Sequence, residues 1–191
     1  VTGSGKTEIF IEIIKTVKKL GKCSIVLIPE ISLTSQIAGR FKQVFGDDMA
    51  LWHSQLSKSQ RAKTWRDIND GTCKIVIGAR SAIFSPVKNL GLIIVDEEHD
   101  SSYKQDSPSP RYHARDVAIM RSKIEKCTVI LSSATPSLET FYNYKLKKYL
   151  VMPVYKNKTY DVDCIAERGK LIFCISRLRI YENPLSPINQ G

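Results

Sequence analysis

Four short runs of almost uninterrupted apolar residues constrain this chain most: Ser24-Ile25-Val26-Leu27-Ile28-Pro29, Lys74-Ile75-Val76-Ile77-Gly78, Leu90-Gly91-Leu92-Ile93-Ile94-Val95 and Thr128-Val129-Ile130-Leu131-Ser132. A strand with water on one face alternates polar and apolar, whereas a strand covered on both faces is apolar throughout and rich in β-branched side chains. Met49-Ala50-Leu51-Trp52-His53 is a weaker fifth candidate. Helical periodicity fills the intervals, at residues 8–20, 32–45, 57–69, 113–125 and 136–149. Ser57 stands as an N-cap, and Gly21, Gly46 and Gly71 follow helices where a left-handed residue is wanted. Alternation of this kind predicts an α/β fold, a parallel sheet with helices on both faces. Ligands of such sheets sit beyond the strand C-termini.

Two polar segments fall at that edge. The first, Val1-Thr2-Gly3-Ser4-Gly5-Lys6-Thr7, is most of a phosphate-binding loop, G-x-x-x-x-G-K-[ST] without its leading glycine. In that pattern backbone N–H groups of Gly3, Ser4 and Gly5 wrap the phosphates, Lys6 reaches the outer ones and the Thr7 hydroxyl holds magnesium. The helix that follows directs the positive end of its dipole at the anion. A chance Gly-Ser turn before a surface helix is the competing interpretation. The chain starts inside the motif, without methionine or a preceding strand, so a piece of a longer protein is expected.

The second is Asp96-Glu97-Glu98-His99, directly after Ile93-Ile94-Val95. An aspartate there can share the magnesium with Thr7, and the adjacent glutamate can orient and deprotonate an attacking water. Lys6, Asp96 and Glu97 thus form a minimal phosphoryl-transfer set, because that chemistry is mostly positioning and charge neutralisation. A solvated acidic turn is the alternative. ATP and Mg2+ are the expected cofactors.

The formal charge of +10 over 191 residues attracts polyanions and gives salt-sensitive binding to nucleic acid, although a bland solvated surface carries such charge too. With 42% hydrophobic and 25% charged residues the chain is not of disordered composition. Its five cysteines form no Cys-x-x-Cys pair, so neither a disulfide framework nor a zinc site is expected. No apolar run approaches membrane-spanning length, and a reducing, cytoplasmic location is the expectation. Trp52 and Trp65 are expected to pack in the core or between helices.

Taken together, Gly-Ser-Gly-Lys-Thr-Glu, Ile28-Pro29-Glu30-Ile31-Ser32-Leu33-Thr34-Ser35-Gln36, His53-Ser54, Gly78-Ala79-Arg80-Ser81-Ala82-Ile83-Phe84, the segment Leu90 to Gln105, Arg111-Tyr112-His113-Ala114-Arg115-Asp116 and Ser132-Ser133-Ala134-Thr135-Pro136-Ser137 resemble the first, RecA-like motor lobe of superfamily-two DNA helicases, within them the PriA-type primosomal replication-restart branch. The resemblance covers about residues 1–149. It implies ATP-driven 3′-to-5′ translocation on single-stranded and forked DNA, with primosome or single-strand-binding proteins as partners and no membrane. It implies that Pro29, Glu30, Thr34 and Gln36 track the strand, with Arg80 and Ser81 beside the DNA path. Ser133, Ala134 and Thr135 match the motif linking hydrolysis to lobe movement, with His99 as its contact. Residues 103–113 resemble a DNA-sensing aromatic loop, in which Tyr103, Tyr112 and His113 offer stacking faces and Lys104, Arg111 and Arg115 phosphate contacts.

The tip Asp106-Ser107-Pro108-Ser109-Pro110 departs from the shorter glycine-containing turn of the family. Residues 150–191 are expected to be a divergent tail leading toward a second lobe that this sequence does not contain, although Lys170–Ile175 reads as one more strand. Without that lobe's arginine, slow or no turnover is expected of the chain alone. A P-loop kinase and a non-catalytic DNA-binding module with a relic nucleotide site remain the competing classes.

Overall fold

The computed structural model describes residues 6–33, 35–146, 148, 150–153 and 171–175. In chain order the elements are α1 (Lys6–Lys19), β1 (Cys23–Leu27), α2 (Ser35–Phe45), β2 (Met49–Trp52), α3 (Lys58–Asn69), β3 (Ile75–Gly78), β4 (Leu90–Val95), β5 (Lys104–Gln105), β6 (Tyr112–His113), α4 (Ala114–Glu125), β7 (Thr128–Ser133), α5 (Leu138–Lys145), β8 (Leu150–Pro153) and β9 (Leu171–Ile175). Seven strands pair in the order β2-β3-β1-β4-β7-β9-β8, every pairing parallel. β5 and β6 form a separate antiparallel hairpin.

The continuous apolar runs are explained by two cores, one on each face. Val26, Ile28, Ile75, Ile77, Leu92, Ile94 and Ile130 pack under α1 and α2, together with Phe10, Ile14, Phe41 and Phe45. Their sequence neighbours Ile25, Leu27, Val76, Ile93, Val95, Val129 and Leu131 face the other way, onto Ala114 and Ala118 of α4 and Ile68 of α3. Strict alternation of direction along each strand demands this division. Trp52 belongs to the second core and stacks obliquely on the half-exposed Trp65, ring centroids 5.8 Å apart.

Local signals hold in detail. The Ser57 hydroxyl accepts from the Gln60 N–H at 3.2 Å, and the Gln60 side chain accepts from the Ser57 N–H at 2.9 Å, a reciprocal cap worth about 1 kcal/mol. Gly21, Gly46 and Gly71 take φ of 71°, 56° and 80°. α2 begins at Ser35 rather than 32 because Glu30–Ser32 form a separate 3-10 turn after Pro29. α5 begins only at Leu138, after Pro136.

The strand read at 170–175 is β9, beside β7, and β8, which the loose pattern after Leu150 did not announce, pairs with β9. The sheet therefore continues beyond residue 149. The turn at 156–163 and the linker at 183–187 lie outside the described residues. Among the described residues no helix is long and apolar enough to cross a membrane.

Candidate nucleotide and nucleic-acid site

The site is built on the common end of the central parallel strands. Leu27, the last residue of β1, lies in register with Val95, the last of β4, and Val95 with Leu131 of β7. The Asp96 N–H then donates to the Leu27 carbonyl at 2.9 Å, so the acidic box starts where the sheet stops. α1 starts at Lys6 at this same edge, and Lys6 is only 8% exposed. Its ammonium donates to Asp96 Oδ1 at 3.3 Å and forms a short contact with Glu97 Oε1. Residues ninety positions apart thus share one cluster. Gly3, Ser4, Gly5 and Thr34 lie outside the described residues.

Charge explains the protonation states. Burial acts to depress the Lys6 ammonium, yet the Asp96 and Glu97 carboxylates together hold it above the ordinary lysine value. Asp96 is held above the ordinary carboxylate range, because its own burial and the nearby Glu97 charge outweigh the attraction of Lys6. Such a pair is weak evidence for stability, since desolvation offsets the attraction. What the geometry shows is one cation, the Lys6 ammonium, held against two carboxylates. Carboxylate oxygens of Asp96 and Glu97, with the Thr7 hydroxyl in the first turn of α1, are the hard donor chemistry that Mg2+ takes. Among the described residues no three His, Cys, Asp or Glu side chains converge on a metal position.

The four box residues point in different directions. Glu97 has φ 46°, a left-handed conformation unusual for a residue with a side chain, and the chain reverses there. The Glu98 N–H donates to the Ser132 carbonyl at 3.0 Å, and the Glu98 carboxylate is completely buried. His99 turns outward: its Nδ1 is 2.7 Å from Ser133 Oγ and its Nε2 3.3 Å from Thr135 Oγ1. The Ser133 hydroxyl also accepts from the Thr135 N–H at 3.0 Å, closing the turn.

The aromatic loop differs from its expected form in three ways. Tyr103 offers no stacking face: its ring is wholly buried, and its hydroxyl donates to the Asp96 carbonyl at 2.6 Å. Arg115, expected on phosphate, is 8% exposed and bound to Glu98 and Asp116, since the N-terminus of α4 aims it inward. His113 caps α4, its Nδ1 accepting from the Arg115 N–H at 3.3 Å, and burial with the Arg115 charge lowers its pKa.

Lys104 and Arg111 are exposed and Tyr112 half-exposed. Arg80 spends its guanidinium on the loop itself, donating to the carbonyls of Lys104 at 2.7 Å and Ser102 at 3.3 Å and lying 5.8 Å over the Tyr112 ring. The proline-rich tip is held by Gln105, whose amide donates to the Pro108 and Pro110 carbonyls at 2.9 and 3.0 Å. Of the strand-tracking candidates, Pro29 is buried, while Glu30 and Gln36 are exposed and Glu30 accepts from Ser54. Ser81 is exposed and accepts from the Trp52 indole at 3.1 Å.

Sequence reasoning missed Glu98, Ser137 and Thr140. Ser137 carried a signal, a capping residue ahead of a short helix; Glu98 carried only its place as a third acid, which reads as solvated until burial is known.

Residues 1–143 match the DEAD/DEAH box helicase family. Among similar proteins, one named Replication restart protein PriA from Chlamydia pneumoniae is 53% identical over 79% of this chain and 20% of its own length. The proteins of the same name from Bacillus subtilis (strain 168) and Rickettsia prowazekii (strain Madrid E) are 55% and 48% identical, over 74% and 82% of this chain and 17% and 24% of theirs. The chain spans about a fifth of the length of these curated relatives.

Proposed function

Because the chain belongs to the DEAD/DEAH box helicase family, we propose that it is the nucleotide-binding motor lobe of a cytoplasmic DNA helicase that acts in replication restart, moving 3′-to-5′ on single-stranded or forked DNA alongside primosome or single-strand-binding proteins. The observation that supports this most is the meeting of Lys6 with Asp96 and Glu97 at the end of the sheet, one box residue away from the His99 contacts to Ser133 and Thr135. Bound Mg2+-ATP supplies the bond to be cleaved and most of the charge to be neutralised. The chain's residues do the remainder. Lys6 neutralises the outer phosphates, Asp96 and Thr7 hold the cation, and Glu97 orients a water and accepts its proton at a carboxylate oxygen. His99 exchanges hydrogen bonds with two hydroxyls on the turn into α5, which makes that turn responsive to changes at the box. Lys104, Arg111 and Tyr112, with Glu30, Gln36 and Ser81, provide the polar and stacking surface for DNA.

The test is titration of the chain with a fluorescent ATP analogue. Lys6→Met is expected to weaken Mg2+-dependent binding at least about tenfold, consistent with loss of a charge-assisted contact. Equal affinity in both proteins would remove the basis of the proposal.

A further inference from the structure

Glu98 is not one of the residues that the proposed chemistry uses, yet it is the most completely paired acid of the box. Its side chain is 0% exposed. Oε1 accepts from the Ser137 N–H at 2.8 Å; Oε2 accepts from Ser137 Oγ at 3.1 Å, Thr140 Oγ1 at 2.9 Å and Arg115 Nη1 at 3.3 Å. Enclosing a carboxylate away from water is costly unless each lone pair finds a donor. Here the donors come from Ser137, the residue just ahead of α5, and from Arg115 and Thr140 in the first turns of α4 and α5.

Next to this clasp sits Glu97 in its left-handed conformation, φ 46°. For a residue with a side chain that conformation persists only where the surroundings impose it. On one side the imposition comes from the Asp96 N–H on Leu27. On the other it comes from residue 98, whose N–H is bound to Ser132 and whose side chain is fixed in the clasp. We propose that Glu98 is a positioning residue: locked to Ser137, Thr140 and Arg115, it maintains the reversed backbone at Glu97 that turns the Glu97 carboxylate onto Lys6, and it fastens that carboxylate's setting to α5. The proposal rests on the reading of Glu97 as the water-activating group. It gives the box a second link to the Ser133–Thr135 turn, because α5 follows that turn directly.

The test uses the whole nucleotide-free chain, so it stands apart from the ATP titration that decides the motor reading. Amide hydrogen exchange and the NMR contact between the Lys6 ammonium and the Glu97 carboxyl carbon are compared in wild type and Glu98→Gln. The amide substitution keeps shape but removes the charge and one acceptor. The expected result is exchange at the Ser137 amide faster by about tenfold or more and loss of the Lys6–Glu97 contact, with β1 and β4 amides protected as in wild type.

A surviving Lys6–Glu97 contact beside a freed Ser137 amide would reduce Glu98 to an anchor for α5 and overturn the proposal, as would unchanged exchange at Ser137. Should Glu98→Gln fail to fold, Thr140→Val carries the same comparison. It deletes one donor in the same shape, with about fivefold faster exchange at Ser137 and a weakened Lys6–Glu97 contact expected; no change in either overturns the proposal.

Discussion

Replacing Tyr103 with phenylalanine isolates one hydrogen bond beneath the acidic box. The ring is 0% exposed and keeps its packing in the second core, so no cavity larger than an oxygen atom is created. What disappears is the hydroxyl that donates to the Asp96 carbonyl at 2.6 Å. A net hydrogen bond is worth about 1 kcal/mol, and a carbonyl left dry adds part of its desolvation penalty, so the expected loss is about 1–2 kcal/mol. For a chain of this size that is a drop in Tm of roughly 2–8 °C. Urea unfolding followed by tryptophan fluorescence, with scanning calorimetry, measures it; the urea midpoint is expected to move with no change of slope.

Alkaline pH supplies an internal control. Burial, with the Asp96 and Asp100 charges, raises the Tyr103 pKa well above its ordinary value of 10.0. The folded protein therefore holds the phenolic proton where the unfolded chain releases it, so wild-type stability falls as pH rises past about 10. The phenylalanine variant lacks this slope, and the gap between the two narrows there. A stability loss near zero at neutral pH would refute the reasoning, and so would a gap that widens at alkaline pH.

Gly78→Ala is expected to cost about 3 kcal/mol or more. A Cβ there would lie 2.1 Å from the Trp52 carbonyl oxygen and 2.9 Å from Ala82 Cβ, and the first of these is strand backbone that cannot rotate away. Calorimetry giving a Tm within about 2 °C of wild type would contradict this close approach. His113 governs acid behaviour at the α4 cap. Its pKa is lowered from 6.5, so the unfolded chain binds the proton more tightly; stability is intact above about 6.5 and is lost as pH falls through the depressed value. His113→Asn keeps a capping acceptor without titrating, and its urea midpoint is expected to vary less between about pH 5 and 7.5 than that of the wild type. Parallel slopes in the two proteins would dismiss the histidine as the cause.

The sheet was legible because its strands are covered on both faces, which leaves an unbroken apolar run that few other structures require. Val26 and Leu27 belong to opposite cores, yet each must be apolar, and the sequence needs no knowledge of which is which. The convergence of Lys6 on Asp96 was legible for a topological reason, since parallel strands with helical crossovers bring every βα junction to one edge. Direction of side chains was not legible. Tyr103 in a polar stretch reads as a surface aromatic, and only the 3-10 turn Ser101–Tyr103 rotates it under β4. Arg115 reads as a free cation until the start of α4 is seen to aim it at Glu98. β8 escaped because its pairing is with β9, a partner some twenty residues away whose own pattern is brief.

What the structure adds to the motif is a division of labour that its linear spelling conceals. Asp96 is fixed by backbone to β1 and from below by Tyr103. Glu97 reaches Lys6 at the head of α1, Glu98 reaches α4 and α5, and His99 reaches the turn after β7. Four consecutive residues of an extended strand can serve only two faces, so contacts to this many elements require the chain to reverse within the motif. The left-handed residue at Glu97 is that reversal. It follows that substitutions which relax residue 97 act on the contacts of 98 and 99 as well as on its own, and that the box responds as a unit even where a single carboxylate is altered.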